Sequence, residues 1–159
     1  MSDNAYQTNK VTVMLAGAGH EVVYYQMQPP LLADQRFMIS GHAAQWTMFE
    51  TNLNNLRPDL VIVQSDIAPD PDALIRTLQK ISAWSGIAIV VLPLAHRDFQ
   101  GAFGKVDTVR GVFVAPVNWT EIVQAAYGAA ITARAKLNQA APMQQSVSGF
   151  SPGGASAYI

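Results

Sequence analysis

The side chains in this sequence that could do chemistry are few. Asp66, Asp70 and Asp72 stand close together, just after Gln64 and Ser65. Carboxylates so grouped hold a divalent cation when their oxygens converge. The same spacing also describes a polar loop followed by a helix start, with Asp70 as cap and Asp72 favouring the helix dipole. The second reading is the expectation. His20, His42 and His96 are far apart and share no ligand spacing, so they predict surface or capping residues. Gly17-Ala18-Gly19 could open a phosphate loop, but His20, Glu21 and Val22 follow and break the G-x-G-x-x-G spacing. A plain turn is expected there. The chain has no cysteine, which excludes disulfide frameworks, thiolate catalysis and cysteine-ligated zinc.

Strands and helices must position these residues, and the apolar pattern gives both. Residues 10–16 form a β-branched run ending in Gly17 and predict a buried strand. Residues 18–35 are ambiguous: 21–26 reads as a strand or as helical turns interrupted by Pro29 and Pro30. Residues 36–40 predict a second strand closed by Gly41. A helix is expected over 42–56, with Trp46, Phe49, Leu53 and Leu56 as its apolar stripe. Pro58 ends it, and 60–64 is a third strand. Asp70 and Pro71 start a helix that runs to about Ser85, with Leu74, Leu78 and Ile81 inward. The continuous apolar run 87–92 suits a central strand covered on both faces. A weaker helix is expected around 97–103, limited by Gly101 and Gly104. A fifth strand spans 111–115. Asn118 and Glu121 start a last helix that runs to about Asn138.

This alternation predicts a parallel α/β sheet with helices on both faces, in the flavodoxin-like order 2-1-3-4-5. Residues 10–138 are expected to form the domain, 1–9 a flexible leader and 139–159 a Gln/Ser/Gly/Pro-rich flexible tail or linker. Half of the 159 residues are hydrophobic, 13% are charged and the net charge is −1. That is enough apolar material for a core and too little charge for a disordered chain. No basic run suggests nucleic acid, and no apolar run approaches the ~20 residues of a membrane span. Residues 1–9 lack the apolar core of a signal peptide. A soluble cytoplasmic domain without membrane insertion is the expectation.

Ligands of such sheets bind at the carboxyl ends of the strands. Ala16 and Gly17 end the first strand, Gln64 the third, Leu92 the fourth, and Ala115 and Pro116 the fifth. Arg57-Pro58-Asp59-Leu60-Val61-Ile62-Val63-Gln64, together with Gly111–Pro116 and the helix start at 118–122, resembles a response-regulator receiver domain. The resemblance spans roughly 10–137 and is clearest over 57–126. It implies a phosphoacceptor aspartate where Gln64 stands and a lysine where Ala115 stands, just before Pro116. It implies a metal-binding acidic pair near Ala16 and Gly17, and a hydroxyl residue near Leu92 or Pro93. None of these groups is in the sequence. The resemblance thus implies a pseudo-receiver: no enzyme, no cofactor, no metal.

Receiver-like domains of this stripped kind resemble the N-terminal domain of TadZ/CpaE-type pilus assembly proteins, which precedes a ParA/MinD-like ATPase domain. Phe150-Ser151-Pro152-Gly153-Gly154 resembles the approach to that ATPase, without the Walker lysine. The resemblance implies a protein-interaction or dimerisation module in signalling or pilus assembly. Its partner would be a second copy, such an ATPase domain or the pilus machinery. The implied interface is the fourth helix, fifth strand and fifth helix: Phe99, Phe103, Val106, Val109, Trp119, Ile122 and Tyr127. Trp119 and Tyr127, eight residues apart, read equally well as core or as an exposed face. The segment 18–25 also resembles cobalamin-binding domains, but their D-x-H-x-x-G loop is absent. A different class of function would place a small ligand in the strand-end crevice, contacted by His20, Gln64 and Asp66.

Overall fold

The computed structural model describes residues 10–149, with side chains through Leu137. The expected leader, and the part of the expected tail from Phe150 onward, lie outside the described residues. Five parallel strands, β1 (Val11–Ala16), β2 (Phe37–Ala43), β3 (Leu60–Gln64), β4 (Ile87–Leu92) and β5 (Val109–Val114), form one sheet. Their order is β2-β1-β3-β4-β5, the doubly wound order that the sequence predicts. Every residue of β4 is buried, as a run without polar alternation requires.

Two layers of helices cover the sheet. One holds α1, built of a π-type segment (Glu21–Met27) and an α-type segment (Gln28–Leu32), and α5 (Trp119–Gly149). Val23, Met27 and Leu31 pack there with Ile122, Val123 and Ala126 on the β-face of Leu15, Ile62 and Ile89. The other layer holds α2 (Trp46–Leu56), α3 (Pro71–Lys80, extended by the 3₁₀ turn Ile81–Trp84) and α4. Of these, α4 is a 3₁₀ segment (Leu94–Phe99) followed by one α-helical turn (Gln100–Gly104). Phe49, Leu53, Leu74, Leu78 and Phe103 cover Val61, Val63 and Val90 on that face.

The segment 18–35 is helical. Pro29 and Pro30 have no N–H to donate and their rings crowd the preceding turn. The helix ahead of them is accordingly widened: the Gln28 N–H bonds the Val23 carbonyl five residues back, and the prolines fall in the first turn of the α segment, just after Gln28. Strand β2 does not stop at Gly41. It continues to Ala43 because His42 and Ala43 pair with Leu15 and Ala16, after a bulge that leaves Ser40 as the extra residue. The following helix therefore begins at Trp46 rather than His42. Within the expected stripe Phe49 and Leu53 are buried, whereas Leu56 is exposed and Trp46 is half-buried.

Capping follows the sequence. The Asp70 carboxylate accepts the Ala73 N–H at 2.8 Å. The Asn118 side-chain oxygen accepts from Thr120 at 3.0 Å and from Glu121 at 3.4 Å. Helix α5 runs on past the expected end at Asn138 to Gly149. Gln139, Ala140 and Ala141, then Met143, Gln144 and Gln145, are strong helix formers, and the Gln/Ser composition read as tail hides that propensity.

The Arg57-Pro58-Asp59 turn joins three elements at the other end of the sheet. Arg57 takes a left-handed φ of 44° and ends α2. The Asp59 carboxylate accepts the Thr12 N–H at 3.0 Å, while the Thr12 hydroxyl accepts the Asp59 N–H at 2.8 Å. Arg134 of α5 donates to the same carboxylate at 2.9 Å and to the Lys10 carbonyl at 2.6 Å. This clasp ties the last helix to the first and third strands.

Candidate functional site

The carboxyl ends of β1, β3 and β4 meet as the doubly wound topology requires. Ala16 and Leu92 are fully buried and offer only methyl groups to the crevice walls. Gln64 is half-buried, and its amide nitrogen donates to an Asp66 oxygen at 2.9 Å. The other Asp66 oxygen accepts the Ala18 N–H at 3.4 Å. Ser65, only 1% exposed, bonds the Nδ1 nitrogen of His96 at 2.6 Å. Three consecutive residues at the end of β3 thus tie that strand to the β1–α1 turn and to α4.

The Gly17-Ala18-Gly19 turn has no amide left for a phosphate. Gly17 donates to the Ala43 carbonyl, Gly19 to the Ala44 carbonyl, and Ala18 to Asp66. Gly17 is also where the backbone of β1 meets α1. A Cβ there would lie 2.9 Å from Val22 Cγ1 and 3.6 Å from the Gln64 Cβ. A side chain, acidic or otherwise, would need Val22 to move. The plain turn expected from the sequence is what forms.

Ala115 is half-buried, Pro116 is exposed and the bond between them is cis. Ala115 donates its N–H to the Leu92 carbonyl at 2.8 Å. The strand ends therefore bring Gln64, Ala16, Gly17 and Leu92 to one crevice, with Ala115 held beside Leu92, but no cationic side chain among them. Among the described residues, no group of three or more His, Asp or Glu could hold a metal ion. Asp70 and Asp72 belong to the start of α3, with Asp70 occupied by its cap.

His20 is not held by the crevice groups. It stacks on Tyr24 at 5.6 Å, and Tyr24 lies 4.9 Å from His42. His42 Nε2 is buried without a hydrogen-bond partner, and burial lowers the pKa of its ring. No spacing in the sequence signals this three-ring row, because it joins α1 to a strand end that the apolar pattern assigns to a helix.

The implied interface is largely interior. Phe103 and Ile122 are fully buried, and Val106 and Val109 nearly so. They pack in this chain's own core and are not available to a partner. Phe103, Val106 and Val109 serve to cover one face of the sheet. Phe99 is partly exposed, at 37%. Trp119 and Tyr127 are half-buried against the α1–α5 core. Tyr127 meets Phe37 edge-on at 5.8 Å and carries the Arg36 guanidinium 4.2 Å above its ring. Among the described residues, no helix is long and apolar enough to cross a membrane.

No family model matches the chain, and no curated protein matches it. Solved structures do. RcsB from Salmonella enterica serovar Typhimurium, bound to promoter rprA with phosphomimetic BeF3-, matches with a TM-score of 0.65 and 19% identity over 78% of this chain. This chain spans 61% of that one. The signal receiver domain of an HD domain-containing protein from Pseudomonas fluorescens Pf-5 matches at 0.64 and 16% identity, covering 79% of this chain and 98% of that one. The REC domain of AraT, a response regulator from Geobacillus stearothermophilus, matches at 0.60 and 13% identity, covering 81% and 96%. The chain has the fold of response-regulator receiver domains.

Proposed function

We propose that this chain is a receiver-fold protein-interaction module that does no phosphotransfer. The observation that carries this reading is the state of the strand-end crevice. Phosphoryl transfer assisted by a divalent ion needs carboxylates on the metal and a cation on the phosphoryl oxygens. Here Gln64 presents a carboxamide, a poor nucleophile without charge. Among the described residues Asp66 is the one carboxylate in reach, and Gln64 and Ala18 already engage it. Ala115 supplies a methyl group where the receiver resemblance implies a lysine. An architecture kept without its chemistry is suited to docking.

The finer reading places the module in pilus assembly or signalling in the cytoplasm. Its support is the likeness of this stripped crevice, and of 150–154, to TadZ/CpaE-type proteins. The partner on that reading is a ParA/MinD-like ATPase domain, the pilus machinery or a second copy. The test of the core claim is thermal unfolding with Mg²⁺ and beryllofluoride, with acetyl phosphate in parallel. An unchanged Tm is expected. A stabilisation that saturates with beryllofluoride would show a working acceptor site and overturn the proposal.

A further inference from the structure

Among the described residues strand β5 pairs only with β4, which leaves its other edge open, and α5 lies beside it. Between them runs a trough. A cavity of about 350 Å³ is lined by Arg110 and by the α5 residues Ala125, Gly128, Ala129 and Thr132, among others. A second, of about 290 Å³, shares Arg110, Ala133 and Lys136 with the first. A third, also about 290 Å³, shares Ser82, Asp107 and Thr108 with the second and adds Lys105.

Three features decide what this trough can hold. Its α5 wall is small: a Cβ added at Gly128 would meet nothing within 4 Å. Its charge is positive. Lys105, Arg110 and Lys136 line it against a single acid, Asp107, in a chain whose net charge is −1. None of the three cations has an ion-pair partner among the described residues. The open edge of β5 continues from Arg110, the β5 residue that lines the trough. Residues 111–114 remain partly exposed, and an open edge offers a row of unpaired N–H and C=O groups.

We propose that the trough docks an extended acidic segment of a partner protein, which adds beside β5 as a sixth strand and sets its carboxylates against Arg110 and Lys136. This rests on the reading of the chain as an interaction module and names the surface and the chemistry of its partner. The strand edge favours polypeptide over nucleic acid, because main-chain hydrogen bonds give affinity in strand addition. A second copy is disfavoured. An isologous contact sets a patch against the same patch of a second copy, which would bring one cationic trough against another.

The test is selection from a phage-displayed random peptide library on the full-length immobilised chain. The enriched peptide is then synthesised and titrated by fluorescence anisotropy. Peptides rich in Asp and Glu are expected, with amide shifts at 111–114 in NMR spectra. The exposed double variant Arg110→Glu/Lys136→Glu should weaken binding at least about tenfold, as loss of charge complementarity does. Gly128→Phe, which fills the trough and leaves the charge alone, should weaken it too. Circular dichroism checks that both variants fold. Selected peptides without acids, or unchanged affinity in both variants, would overturn the proposal. So would self-association abolished by the charge reversal, which would seat a second copy there. Peptides whose shifts map elsewhere would overturn the trough but leave the interaction module standing. A library that enriches nothing would count against both.

Discussion

At the residue scale the account turns on polar groups that are engaged rather than waiting. Ser65 is buried and its hydroxyl meets His96. Ser65→Ala removes that bond and leaves the ring nitrogen unmatched, at a cost of about 1 kcal/mol. Urea unfolding should show it as a lower midpoint at constant slope. His42 makes a pH prediction. Burial lowers its folded pKa below the ordinary value of 6.5, so the unfolded chain binds the proton more readily. Stability from the neutral ring is fully present above about pH 6.5, falls as pH drops through that value, and levels off below the lowered folded pKa. Tyr24 and His20 are the titratable rings in the row that faces it. His42→Phe should flatten the stability profile across that window, read as Tm against pH. An unchanged slope would assign the acid sensitivity elsewhere. The Asp34–Arg36 pair acts lower on the scale. The Arg36 guanidinium, hydrogen-bonded to Asp34 at 2.6 Å, holds the carboxyl below its usual range, and its contribution is lost as pH falls through the carboxylate range.

At the element scale, the sequence was most legible where local chemistry and long-range need agreed. Asp70 with Pro71, and Asn118 with Glu121, mark their helices because capping is settled by neighbours in sequence. Asp70→Ala should lower stability by about 1 kcal/mol, a Tm drop of roughly 2–4 °C for a domain of this size. The run 87–92 was legible because a strand buried on both faces must be apolar throughout. Legibility failed where tertiary pairing overrode the local signal. Gly41 looks like a strand end, yet pairing of His42 and Ala43 with β1 carries β2 past it. Pro29 and Pro30 look like breakers, yet a widened turn absorbs them. The widest gap between local pattern and packing is at α4, where Phe103 is buried. Its apolar residues resemble a docking face in sequence, and a covered sheet face asks for the same residues. Phe103→Ala should cost about 3–5 kcal/mol, as deletion of a buried aromatic does, and Phe103→Asp should leave the domain unfolded by circular dichroism. A folded, merely monomeric Phe103→Asp protein would restore α4 as an interface.

At the scale of the whole molecule, the fold class and strand order were readable from alternation alone, and solved receiver domains share them at 13–19% identity. What periodicity could not give is the closure of the crevice. That depends on the Asp66 carboxylate, a near neighbour of Gln64, meeting the Ala18 amide 48 positions away, a contact that no spacing encodes. The same holds for the clasp at the opposite end, where Arg134 reaches Asp59 across 75 positions of sequence. The trough along β5 is likewise a product of topology, since a strand becomes an edge only in the assembled sheet. On the function proposed above, this receiver fold has no phosphoacceptor. The most direct test is intact-mass spectrometry after incubation with acetyl phosphate and Mg²⁺, quenched in acid to preserve any acyl phosphate. An unmodified mass is expected at every time point. A phosphoryl adduct that maps to the 64–66 segment and is lost in Asp66→Asn would contradict it.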